Sequence, residues 1–243
     1  MKQATKTKSI SLTGARQALR RHASSEKAKV NQWFFKTGKG EYADGDRFIG
    51  VTVPQIRSIA KQYHNLSLAQ VLKLLSSKIH EERLFALLIL VAQFKHGEAN
   101  TQKQIADAYV ANLQYVNNWD LVDSSAHYIL GAYLKDKSRK ILYTLARSQR
   151  LWDRRVSIIT TLHFIKEGDF SDTMKLAGLL LKDNEDLMHK AVGWMLREVG
   201  KKDQHVLEGF LKTHYQQMPR TMLRYAIERF SQTKRTGFLK GRL

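Results

Sequence analysis

Trp119 and Asp123 stand four residues apart in the run Asn117-Asn118-Trp119-Asp120-Leu121-Val122-Asp123. On a helix, that spacing turns an indole and a carboxylate toward one face. The chain holds 41 Lys and Arg against 22 Asp and Glu, a formal net charge of +19. A carboxylate is therefore a minority charge here. If it faces the same partner as the lysines and arginines, it is there for a purpose other than affinity.

Each of these residues also has an ordinary explanation. Asn118 suits an N-cap. Asp120 and Asp123 would sit in the first turns of a helix, where carboxylates meet the positive end of its dipole. Tryptophans at helical spacing usually fill a core. Arg154 and Arg155 could be solvated, or paired with Asp120 or Asp123. The nine histidines are scattered, with no His-Glu-x-x-His run and no i, i+4 pair. His127, four residues after Asp123, could orient it, though a surface or capping role suits it better. No cysteine and no Gly-x-Ser-x-Gly elbow is present, so thiolate chemistry, Cys-ligated metal and a serine hydrolase site are excluded. Nothing in the sequence calls for a metal or another cofactor.

The 243 residues are 43% hydrophobic, which suits a folded protein. The basic excess points to a polyanionic partner, nucleic acid first and an anionic membrane surface second. The longest apolar stretch, Leu84 to Ala92, is far shorter than the roughly 18 residues of a membrane span. The N-terminus is basic without an apolar stretch behind it, so no secretory signal is read there and cytoplasm, near the nucleoid, is the expected compartment.

Apolar residues recur at i, i+3 and i+4 throughout, and the chain reads as all-α. Helices are expected at 11–22, 25–36, 54–64, 67–76, 101–114, 137–147, 171–181 and 202–216. Four further segments resemble one another, anchored at Arg83, Arg155, Lys190 and Arg224, with Trp119 filling the gap. Subtraction of residue numbers spaces these five by 36, 36, 35 and 34 residues. A helix pair with a period near 35 residues is the signature of an α-solenoid. The expectation is one repeat domain over residues 1–233 with a mobile basic tail at 234–243. Pro54 and Pro219 should each open a helix. The glycine-containing segment Thr37 to Asp46 reads as an inter-helix loop and not as a phosphate cradle, since no Walker spacing is present.

In a solenoid, equivalent positions line up along one face. The first position carries Arg83, Trp119, Arg155, Lys190 and Arg224, and the fourth beyond it carries Leu87, Asp123, Ile159, Trp194 and Glu228. Trp119, Asp123, Arg155 and Trp194 should thus be neighbours in one strip, with basic residues continuing at both ends.

At this point the sequence resembles the AlkD-like DNA glycosylases of the DNA alkylation repair family, which are built from HEAT-like helical repeats. Four ordered motifs carry the resemblance over nearly the whole chain. They are Phe48-Ile49-Gly50-Val51 followed by Pro54 and Arg57; Trp119-Asp120-Leu121-Val122-Asp123; Leu151-Trp152-Asp153-Arg154-Arg155; and Gly193-Trp194-Met195-Leu196-Arg197-Glu198. The resemblance implies a curved solenoid with a basic concave face. It implies Asp123 as the catalytic carboxylate, Trp119 and Trp194 as indoles flanking the lesion's sugar and backbone, and Arg155 as a phosphate contact beside the lesion. Arg154, Lys190, Arg83 and Arg224 extend the phosphate-binding set. An N-terminal aromatic contacts the lesion in the family, and Phe34 within Trp33-Phe34-Phe35 is the choice here. The longer loop from Gly38 to Asp46 departs from the family pattern.

The implied reaction is hydrolysis of the N-glycosidic bond of an N3- or N7-alkylated purine in duplex DNA, without base flipping, by a monomer. Two other classes of function fit the same scaffold: a nucleic-acid binder without catalysis, and a protein-interaction solenoid meeting an acidic partner.

Overall fold

The computed structural model describes residues 10–242. They fold into an all-α solenoid of paired helices, and among them the only strand-like pairing is an isolated bridge between Arg47 and Ile79. No helix among the described residues is long and apolar enough to cross a membrane. The chain divides into two compact units, Met1–Ser124 and Ser125–Leu243.

The first unit contains α1 (Leu12–Arg20), α2 (Ser25–Phe34), α3 (Val53–Gln62), α4 (Leu68–Leu75), α5 (His80–His96), α6 (Ala99–Ala111) and α7 (Trp119–Asp123). Side chains written into the sequence start these helices. Ser11 accepts from the Gly14 N–H, and Ser67 and Gln70 form a reciprocal capping box. Pro54 sits in the first turn of α3, where a missing N–H costs nothing. The spine is α5, against which α3, α4, α6 and α7 pack. Its Leu84, Phe85, Leu87, Ile89 and Leu90 are buried.

The first turn of α5 departs from the usual pattern. His80, Glu81, Glu82 and Arg83 are all buried. Charged groups removed from water need partners, and each has one. Glu82 pairs with Arg16 at 3.0 Å. The other three organise the candidate site.

The second unit begins with a π-helical turn, His127–Gly131, followed by α8 (Lys140–Ala146), α9 (Leu151–Thr160), α10 (Leu162–Lys166), α11 (Ser171–Leu179), α12 (Asp186–Lys202), α13 (Gln204–His214), α14 (Arg220–Ala226) and α15 (Gln232–Leu239). Its spine is α12, packed against α9, α11, α13 and most extensively α14. Gly193 permits that last approach: a Cβ there would lie 2.5 Å from Tyr225 Cβ and 2.6 Å from the Met222 carbonyl.

The five anchors at the 35-residue period fall on α5, α7, α9, α12 and α14. The basic C-terminal segment is not a loose tail. Ser231 caps α15, and Phe238 is buried against Tyr215 and Phe230, at ring distances of 5.5 and 5.8 Å.

Candidate functional site

The helix α7 has only five residues, too few to be stable without tertiary support. Asn118 caps it, accepting the Trp119 N–H at 2.8 Å. Leu121 and Val122 are buried, which leaves Trp119, Asp120 and Asp123 half-buried at the edge of the unit. Trp119 stacks on Phe35, with centroids 5.3 Å apart and planes at 20°. Phe35, Phe48 and the His80 imidazole form a cluster of rings: Phe35 lies 5.1 Å from Phe48 and 5.0 Å from His80, and Phe48 stacks on His80 at 4.6 Å. Phe34 meets Trp119 edge-on at 6.0 Å and remains 54% exposed. Trp33, by contrast, is 82% exposed, outside this cluster of rings. The structure brings both Phe34 and Phe35 beside Trp119.

The two carboxylates of α7 have different surroundings. Asp120 is committed to His80: Oδ2 lies 2.8 Å from Nε2. The other ring nitrogen, Nδ1, faces Asp46 Oδ2 at 3.3 Å. Arg83 Nη2 also lies 3.5 Å from Nδ1, but a carboxylate oxygen faces each ring nitrogen, and the two acids favour the imidazolium. Burial disfavours that charge, but Asp120 and Asp46 outweigh it and raise the pKa to about 9. Asp46 is held below the ordinary carboxylate range: burial acts to raise it, and the hydrogen bond from His80 with the neighbouring Arg83 guanidinium prevails. Asp123, three residues after Asp120, is half-buried.

The same buried turn explains the motif Phe48-Ile49-Gly50-Val51. Glu81 accepts the Ile49 N–H at 3.1 Å and the Gly50 N–H at 2.8 Å. Gly50 has φ 78°, and a Cβ there would fall 2.0 Å from the Ser24 carbonyl oxygen at the start of α2. Only glycine fits that position. The preceding loop satisfies its own amides, with Gly38 N–H donating to Glu41 and Gly40 N–H to Asp44, both at 2.9 Å. Its N–H groups are therefore spent on its own carboxylates, as suits a connecting loop. Beneath α2 lies a cavity of about 510 Å³, walled by Val30, Val51, Val53, Ile56 and Leu84 and floored by Phe48 and His80.

Arg83 was expected among phosphate contacts. It is 3% exposed and donates instead to the Ser77 carbonyl at 2.9 Å and to Asp46 at 2.7 Å. Its work is to neutralise Asp46.

In the second unit, Arg154 is spent in a similar way. Its Nε and Nη2 lie 2.6 and 3.3 Å from the two Asp183 oxygens, and Nη1 donates to the Ser148 and Gln149 carbonyls. Arg155 is buried and anchored to α12 by a 2.6 Å hydrogen bond to the Leu187 carbonyl. Lys190 is half-buried and pairs with Asp186 at 2.8 Å, and Arg224 is exposed. Trp194 is half-buried, its indole N–H directed to Glu198 Oε1 at 3.2 Å. Glu198 is in turn held by Lys201 at 2.6 Å. This explains why Glu198 closes the motif: at i+4 it fixes the indole's orientation. His127 is not a surface residue. Burial, with Lys166 and His163 nearby, pushes its pKa down to about 3, so it is neutral.

Sequence reasoning missed His80, Asp46 and Phe35. The signal was hidden because Asp46 and Asp120 lie 34 and 40 residues from His80 on opposite sides. No spacing rule links them. The adjacency of His, Glu, Glu and Arg at the start of an otherwise apolar helix was the available clue.

The helix pairs and their near-35-residue period define a helical-repeat protein. The chain belongs to the DNA alkylation repair enzyme family, whose model matches residues 15–230. It is similar to the solved structure titled "Predicted DNA alkylation repair enzyme from Enterococcus faecalis", with a TM-score of 0.67 and 17% identity, covering 87% of this chain and 98% of that one. At that identity the likeness is one of fold. No curated protein sequence matches the chain.

Proposed function

We propose that this protein is a DNA glycosylase that hydrolyses the N-glycosidic bond of cationic N3- or N7-alkylated purines in duplex DNA. The observation that carries this reading is the pairing on α7, which Trp119 opens and Asp123 closes.

Alkylation at N3 or N7 gives the purine a positive charge, so it leaves as a neutral base without protonation. The bond from C1′ to the base nitrogen lengthens, its electron pair goes to the base, and positive charge develops on the sugar. A fixed anion beside the sugar stabilises that charge, the more so where water is scarce. Asp123 is the proposed anion, and it orients the water that adds to C1′. Trp119, Phe34 and Trp194 would offer aromatic faces to the cationic nucleotide, worth about 0.5–2 kcal/mol each. A single positioned electrostatic group is worth about 3–4 kcal/mol, so the acid dominates the rate. Lys190 and Arg224 are assigned to phosphates, which supply salt-dependent affinity, whereas Arg155, 5% exposed and bound to the Leu187 carbonyl, is withdrawn from that set. In this reading the base stays outside a deep pocket, and bulky adducts are tolerated.

The test is incubation with duplex DNA containing N7-methylguanine and chromatography of the released base. Binding without release would instead support a nucleic-acid binder on the same scaffold. DNA affinity unaffected by salt would support a protein-interaction role.

A further inference from the structure

We propose that His80 is a positioning residue for the excision chemistry: clamped as an imidazolium between Asp46 and Asp120, it fixes the helix that carries Trp119 and Asp123. The proposal rests on the glycosylase reading of that helix.

The first ground is mechanical. Leu121 and Val122 set how deeply α7 sits, because both are buried. They do not by themselves fix its rotation, since an apolar side chain tolerates a range of contacts. A directional bond does, and the 2.8 Å contact from His80 Nε2 to Asp120 Oδ2 supplies one. Asp120 lies between Trp119 and Asp123, so a rotation of α7 moves all three together. His80 itself stands in the first turn of α5, the packed spine of its unit, and is 2% exposed.

The second ground is that the network holds α7 at two points on its N-terminal side. Asp46 Oδ1 accepts from Asn117 Nδ2 at 3.4 Å, two residues before the helix. Asp46 Oδ2 takes His80 Nδ1 and Arg83 Nη2, at 3.3 and 2.7 Å. The chain segments before and within α7 thus converge on one buried group of two acids and two cations.

The third ground is the aromatic cluster. The imidazolium stacks on Phe48 and approaches Phe35 at 5.0 Å, and Phe35 is the ring on which Trp119 lies. His80 therefore reaches Trp119 through stacking and Asp123 through the backbone of α7.

A neutral amide in place of His80 could fill the space, but it would leave two buried carboxylates facing one guanidinium. The groups facing the ring are Asp46 from the loop, Asp120 from α7 and Arg83 from its own helix. Glu81, next to it, is turned to the Ile49 and Gly50 N–H groups. Removal of the proton from Nδ1 sets its lone pair against Asp46 Oδ2 at 3.3 Å, with Arg83 Nη2 at 3.5 Å as the alternative donor, and removes the positive charge that holds Asp120.

The experiment compares the full chain with His80→Gln and Asp120→Asn, the second retaining shape and a hydrogen bond while removing the charge. Release of N7-methylguanine from duplex DNA gives kcat, duplex affinity is measured separately, and ring-nitrogen NMR reports the His80 protonation state. The expected result is a doubly protonated ring at pH 8, kcat lowered about 10- to 100-fold in both variants, as for a displaced catalytic group, and duplex Kd changed by less than about threefold. The wild-type rate should also fall above about pH 9, and the His80→Gln rate should not. A neutral ring at pH 8, or wild-type kcat in Asp120→Asn, overturns the proposal. If the wild type releases no base, the glycosylase reading fails. The clamp is then judged by hydrogen exchange of the α7 amides: faster exchange in Asp120→Asn supports it, and unchanged exchange overturns it.

Discussion

The Gly50 N–H donates to Glu81 Oε1 at 2.8 Å, tying the loop that precedes α3 to the buried first turn of α5. This bond closes the floor on which Phe48 lies, and Phe48 carries the stack that ends at Trp119. Two substitutions test it. Gly50→Ala would place a Cβ 2.0 Å from the Ser24 carbonyl oxygen at φ 78°, and should cost about 3 kcal/mol or more. Glu81→Ala leaves two buried N–H groups unsatisfied and should cost about 2–4 kcal/mol. Denaturant unfolding measures both, and a loss under about 1 kcal/mol in either contradicts the assignment.

The buried imidazolium sets a pH dependence of stability. The folded-state pKa of His80 is raised to about 9 from an ordinary 6.5. A raised pKa means the folded state holds the proton more tightly, so the contribution is fully present below about pH 6.5. It is lost as pH rises through about 9, with a slope of at most about 1.4 kcal/mol per pH unit. Relative to His80→Gln, the wild type should therefore lose stability steadily across that window. Parallel stability curves for the two proteins would rule this out.

Phosphate contacts and structural cations should separate in salt titrations. Lys190→Ala and Arg224→Ala are each expected to lower the slope of log affinity against log salt by about 0.9. Arg154→Ala should leave that slope unchanged and reduce stability instead, because it abandons buried Asp183, a loss of about 3–5 kcal/mol. A reduced salt slope with unchanged stability in Arg154→Ala would reverse the assignment.

The aromatic residues should contribute less than the acid. Trp119→Ala and Phe34→Ala are each expected to slow base release by about 2- to 30-fold, the range for single cation–π contacts. Trp33→Ala, outside the cluster, should leave base release near the wild-type rate. Equal losses at Trp33 and Trp119 would show that simple removal of apolar surface explains the effect.

How much of this could be read from residue order depends on the range of the interaction. Apolar periodicity and capping residues are local, so the helices appear nearly where expected, α3 one residue before Pro54 and α7 after Asn118 among them. The 35-residue period placed Trp119 and Trp194 on repeat-equivalent helices for the same reason. The fate of individual charges is not local. Arg83 and Arg154 look like surface cations in a basic chain until Asp46 and Asp183 are found against them. The C-terminal segment looks loose because one phenylalanine, Phe238, supplies its anchor. His80 was hidden for the corresponding reason: its partners come from a loop and from another helix.

The most direct measurement is single-turnover release of N7-methylguanine from duplex DNA by the wild type and by Asp123→Asn, with duplex affinity measured alongside. Release by the wild type, a loss of about 10²- to 10³-fold in the variant and equal or tighter binding is the expected outcome. Equal rates of release in the two proteins would remove Asp123 from the chemistry and contradict the account at its centre.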